Sequence, residues 1–157
     1  MDLALTRRGD YAVRAALCLA KVTSGGYRKI REVAAAMELP LSYTPQVLKL
    51  LADAGVAEAK AGRDGGYRLT RAPAAISLLE VVEAAVGPFV LDRCILRGGP
   101  CHWERACAVH AAWSTAMQAC RDSLRETTLA HLAAADERLA EGRAPSFGDH
   151  PHRAPRA

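Results

Sequence analysis

Hydrophobic residues first recur along this chain at the helical spacing of three and four. Between Leu5 and Lys21, Ala12, Ala16, Leu19 and Ala20 can share an inward face while Arg7, Arg8 and Arg14 stay in solvent, which predicts an amphipathic helix. Ser24-Gly25-Gly26 breaks it. Ile30, Val33, Ala34 and Met37 then mark a short helix. After a break at residues 38–42, Val47, Leu50, Leu51 and Ala54 mark a second. Ser42 is its expected N-cap, and Pro45 falls in the first turn, where its missing N–H leaves no helical bond unmade. Gly55 is the expected stop. Two short helices joined by a tight turn, after a supporting helix, form a helix-turn-helix pattern.

The period then changes. Residues 56–60 and 67–70 alternate small or apolar side chains with charged ones, as two strands do, and "GRDGG" (62–66) between them supplies the glycines a hairpin turn needs. A helix-turn-helix followed by a basic hairpin is a winged helix. Past "RAP" (71–73), Ser77 and Glu80 make a capping box, with Ile76 placed to staple onto Val81. That helix is expected to bury Leu79, Val82 and Val86 and to end at Gly87-Pro88. From about Arg105 to Ala140 the chain is helix-compatible without an internal Gly or Pro, and Trp113, Met117, Leu124, Leu132 and Leu139 offer an apolar seam. A helix of that length carries more apolar surface than a small winged helix covers, so a second subunit is the expected cover.

The fold class read from this pattern is mainly α: a winged helix-turn-helix with a two-stranded wing and a long C-terminal dimerisation helix. Its expected parts are a DNA-binding domain over 1–73, a connecting helix over 74–91, a cysteine loop over 92–110, a dimerisation helix over 105–140, and a tail over 141–157. The tail is rich in Pro, Gly and Arg and is expected to be disordered.

Composition changes this picture little. With 157 residues, half of them hydrophobic and 5% aromatic, the chain suits one domain of close-packed helices, or one domain with an extension. Lys and Arg number 21 against 17 Asp and Glu, a net charge of +4 that permits a nucleic-acid partner without establishing one. The opening segment carries too many charges for a secretion signal or a membrane span, so a cytoplasmic protein with no membrane association is expected. No nucleotide-binding loop or nucleophile–base arrangement stands out, so an enzyme is not expected.

Double-stranded DNA is the expected partner. The outward face of the second short helix offers Ser42, Tyr43, Gln46 and Lys49, and a glutamine can pair bidentately with adenine while the others reach phosphates or base edges. Arg63 at the hairpin tip suits the minor groove, with Lys60 and Arg68 on the flanking backbone and Arg7 and Arg8 as further phosphate contacts. A dimer would read two half-sites of a pseudo-palindromic operator.

Three of the five cysteines stand in one segment: Cys94, Cys101 and Cys107, with six and then five residues between them, and His110 follows. In a reducing compartment such a cluster is more often a metal or redox site than a disulfide framework. Thiolates suit iron–sulfur clusters or zinc, and Arg93, Arg97 and Arg105 nearby would favour the thiolate. Structural zinc on Cys94, Cys101, Cys107 and His110, or a disulfide switch among the three, is the alternative. Cys18 and Cys120 fall on helical faces and are expected to be small buried hydrophobes. His102, beside Cys101, is expected to be exposed, and Glu104 is a remoter ligand candidate.

The order of these elements resembles the Rrf2 family of winged-helix regulators, the group of the IscR, NsrR and RirA types. The matching stretches are "LTRRGDYAVRAALCLA", "LSYTPQVLKLL", "GRDGGYRL", "ISLLEVVEAA", the three-cysteine segment and "CAVHAAW", together covering roughly residues 3–140. The resemblance implies a homodimeric transcription factor, with a repressor the expected sign, whose long helices cross between subunits. It also implies an iron–sulfur cluster, 2Fe–2S or 4Fe–4S, sensing redox state, nitric oxide or iron. Some members carry no cluster and respond to metabolites instead. In IscR-type members the fourth ligand is a histidine three residues past the last cysteine, the place of His110. In NsrR-type members it is an aspartate from the other subunit, the place of Asp10. The first cysteine spacing departs from both types, six residues standing where five are usual. The readings to be weighed against this one are a cluster-free regulator controlled by cysteine oxidation, zinc or a small ligand, and an iron–sulfur electron carrier or enzyme.

Overall fold

Among the described residues, three α-helices, a two-stranded hairpin and three further α-helices follow one another along the chain. The structure, a computed structural model, describes residues 5–22, 25–90 and 107–142. Helix α1 (Arg7–Ala20) starts at Thr6, whose hydroxyl accepts the Gly9 N–H, and buries Ala12, Ala15, Ala16, Cys18 and Leu19. Those small side chains let it serve as the central helix, with the helices over 44–53, 78–86 and 129–140 all packed against it.

Helix α2 (Ile30–Ala36) buries Val33 and Ala34; α3 (Thr44–Asp53) buries Thr44, Val47, Leu48 and Leu51. The N-cap of α3 is Tyr43, not the expected Ser42, because the chain enters the helix through a turn: the N–H groups of Tyr43 and Thr44 both donate to the Pro40 carbonyl. The Thr44 hydroxyl donates to the same oxygen, which satisfies it although the residue is buried. The buried stripe also takes in Leu48, while Leu50 is half-buried. Gly55, at φ +73°, stops the helix as expected.

Strands β1 (Ala57–Lys60) and β2 (Gly66–Leu69) pair antiparallel with Glu58 opposite Arg68 and Lys60 opposite Gly66. The hairpin is pinned to the chain leading into α2, where Arg28 and Tyr67 exchange both backbone hydrogen bonds at 2.8 Å. Gly66 is required there: a Cβ on it would stand 2.3 Å from the Arg28 carbonyl oxygen.

Helix α4 (Leu78–Val86) opens with the expected capping box. The Ser77 hydroxyl accepts the Glu80 N–H at 3.2 Å, and the Glu80 carboxylate accepts the Ser77 N–H at 2.9 Å. Ile76 and Val81 are both fully buried in the core. Ala85 is buried and Val86 largely exposed, the reverse of the expectation at that turn.

The run expected to form one long helix is two. Helix α5 (Ala108–Glu126) ends at Thr127, and α6 (Leu129–Ala140) begins after Thr128, whose hydroxyl accepts the His131 N–H. Tertiary pairing makes the break: the Leu78 N–H donates to the Thr127 carbonyl and the Leu129 N–H to the Ile76 carbonyl. Leu129 is thereby fully buried in the same core as α1 and α3. The start of α4 and this junction therefore belong to the core of the winged helix. No residue of α5 is buried. No helix among the described residues is long and apolar enough to cross a membrane.

Candidate nucleic-acid interface and cysteine segment

The face expected to read DNA lies on α3, which its buried stripe anchors in the core. Ser42 and Gln46 are exposed beside it. Tyr43 is half-buried, its ring edge-on to Tyr11 with centroids 5.8 Å apart, which fixes α3 against α1. Lys49 is exposed but paired within the helix: its ammonium lies 2.6 and 2.8 Å from the two Asp53 oxygens. Arg7 and Arg8 are exposed in the first turn of α1.

The wing holds its charges unequally. Arg63 is exposed at the tip. Arg68 is committed to the protein: Nε donates to Glu58 Oε1 at 2.6 Å, a second nitrogen donates to the Gly25 carbonyl, and the guanidinium lies over the Tyr27 ring. Tyr27 also donates its hydroxyl to Glu58 Oε1 at 2.9 Å, and Lys60 Nζ lies 5.5 Å from the same ring. The Arg68 hydrogen bond, helped by the Tyr27 hydroxyl, pulls the Glu58 carboxyl below its usual pKa, while the hydrogen bond that Tyr27 itself donates to Glu58 raises the phenol. This clasp was not legible in the sequence, because Glu58 and Arg68 become neighbours only through the hairpin register. Gly65 and Gly66 are fixed by space, since a Cβ at Gly65 would stand 2.1 Å from the Lys60 carbonyl oxygen.

Of the cysteine segment, Cys94 and Cys101 lie outside the described residues, as do His102 and Glu104. Cys107 is the N-cap of α5, partly exposed and free. His110 follows in the first turn. Its N–H donates to the Cys107 carbonyl, and Ser114 Oγ lies 3.3 Å from Nε2. Asp10, in the first turn of α1, accepts a hydrogen bond from Arg14 Nε at 3.1 Å, and Arg14 also donates to the Met37 carbonyl. Among the described residues no three His, Cys, Asp or Glu side chains come together as a metal site.

Cys18 is buried as expected, and burial raises its thiol pKa despite Arg28 and Lys21 nearby. Cys120 is exposed instead, on the stripe of α5 that carries Trp113 and Leu124.

Comparison with known proteins bears on these features. A family model described as Rrf2, iron-dependent transcriptional regulator, matches residues 5–135. The HTH-type transcriptional regulator IscR of Salmonella newport is 31% identical over 154 residues, spanning 98% of this chain and 90% of its own length. CymR of B. subtilis, titled the global cysteine regulator, has a solved structure that superposes with a TM-score of 0.72 at 25% identity, over 85% of this chain and 98% of its own. A solved T. potens IscR shares the fold, with a TM-score of 0.69 at 23% identity over 90% of this chain and 93% of its own.

Proposed function

The chain belongs to the Rrf2 family of transcriptional regulators, and from that premise we propose that it is a homodimeric repressor with an iron–sulfur cluster. In this reading the cluster, held by Cys94, Cys101, Cys107 and His110, controls its grip on a pseudo-palindromic DNA operator. The relatives are regulators rather than enzymes, and the described residues carry DNA-binding architecture.

The observation that carries the cluster reading is the place of Cys107 and His110. One thiol and one imidazole stand within the first turn of α5, and α5 packs against α4, whose first turn is built into the DNA-binding core. Both donor types suit iron. A bound cluster would supply redox, nitric-oxide and iron-responsive chemistry at that joint. Among the described residues His110 Nε2 meets a hydroxyl, Ser114 Oγ at 3.3 Å, whereas Asp10 Oδ1 is held by Arg14 at 3.1 Å. Gln46, with Ser42 and Tyr43 beside it, reads the major groove, and Arg63 enters the minor groove. A change at the start of α5 turns one winged helix against its mate, and because half-site spacing is a rigid requirement, a modest rotation abolishes tight binding.

A second reading has its own support. It is a cluster-free regulator in which the same thiols oxidise or hold zinc, and it is supported by the likeness to CymR, described as a global cysteine regulator rather than an iron-dependent one. Anaerobic purification with absorbance and Mössbauer spectra separates the two. The cluster reading expects iron and visible absorption in wild type, altered in His110→Ala and retained in Asp10→Ala. Colourless, iron-free protein with reduced thiols would leave the second reading in possession.

A further inference from the structure

Between the start of α2 and the wing runs an open groove of about 640 Å³, bordered by Lys29, Arg31, Lys60 and Arg63 around Ile30 and Tyr67. All four cations are exposed, and none forms an ion pair among the described residues. Glu32, next to Arg31, does not line the groove: its carboxylate accepts the Lys29 N–H at 3.1 Å and lies 4.0 Å from Arg28. Asp64 follows Arg63 in the loop but does not line the groove.

The two walls are fixed to each other. The backbone pairing of Arg28 with Tyr67 joins the α2 entry directly to β2, and Gly66 permits that approach. Four cations from two elements are thus held along one concave surface beside the exposed wing tip.

We infer that this groove is the main track for the DNA backbone, with Lys29 and Arg31 seating phosphates together with Lys60. The inference rests on the DNA-binding reading and deepens it by redistributing the contacts. Lys49 and Arg68, which the sequence nominates, are already neutralised by Asp53 and Glu58. Moving either onto a phosphate brings its carboxylate up to the duplex as well, which offsets the gain, whereas the groove cations have no such partner among the described residues and release condensed counterions outright.

The test uses the full chain and a short mixed-sequence DNA duplex, with affinity measured over a series of KCl concentrations. Each phosphate contact contributes roughly 0.9 to the slope of log affinity against log salt. Lys29→Ala/Arg31→Ala should flatten the wild-type slope by about 1.8, with an unchanged melting temperature because both side chains are exposed. Lys49→Ala should leave the slope as it is. Wild-type binding with an unaltered slope in the double variant would overturn the groove alone, and a Lys49→Ala slope that fell by a full contact would overturn the neutralisation argument. Wild-type protein that failed to bind duplex at low salt would overturn the DNA-binding reading and the groove with it.

Discussion

Glu80 shows how much one side chain carries. Its carboxylate accepts from the Ser77 N–H and from Arg71 at 2.7 Å, and Ser77 Oγ lies at 3.1 Å. Burial alone would raise its pKa, but Arg71 and the Ser77 contacts outweigh it and hold the carboxyl below its ordinary value of 4.5. A depressed carboxylate stabilises the fold above that ordinary value, and the contribution is lost as pH falls through the folded pKa. The melting temperature of Glu80→Gln should therefore lie below wild type at neutral pH, the gap narrowing as the solution is acidified below 4.5. Parallel melting curves across that range would contradict this. Removing the reciprocal partner, Ser77→Ala, should cost about 1 kcal/mol in urea denaturation. Both halves of this box were legible in the sequence, because a Ser and a Glu three residues apart need nothing beyond local backbone to meet. The Lys49–Asp53 pair was legible by its spacing of four, and in the proposed track it is what sets Lys49 apart from the groove cations.

At the scale of elements, the wing and the α5–α6 junction are the instructive cases. The hairpin was legible from alternation and glycines. Its clasp of Tyr27, Glu58 and Arg68 was not, because register decides which residues face each other. The junction was missed because it uses neither Gly nor Pro. Two threonines break the helix, and hydrogen bonds to Ile76 and Leu78, some fifty residues earlier in sequence by order of magnitude, supply the reason. Leu129 locks the junction into the core, so Leu129→Ala should destabilise the winged helix by about 3 kcal/mol. Thr128→Ala should cost about 1 kcal/mol through the lost cap. A loss for Leu129→Ala no larger than that for Thr128→Ala, read from urea midpoints, would place the junction outside the cooperative core.

The whole molecule is a winged helix whose last two helices are tied differently. Helix α6 starts inside the core, while α5 leaves it with no buried residue and an apolar stripe that includes Trp113 and Leu124. In the proposed homodimer a second copy covers that stripe, and the exposed Cys120 with it. Trp113→Glu/Leu124→Glu should therefore sediment as a folded monomer and lose operator affinity; a dimer that persists would remove α5 from the interface. The central claim is that the cysteine segment leading into α5 governs DNA binding by the winged helix. The most direct measurement takes anaerobically purified protein and its triple variant Cys94→Ser/Cys101→Ser/Cys107→Ser, both at matched salt, and compares their affinity for an operator selected with the wild type. The account predicts a coloured wild type that binds tightly and a colourless variant, still folded, whose operator affinity is lost. Equal affinity in a colourless wild type and in the variant would contradict it.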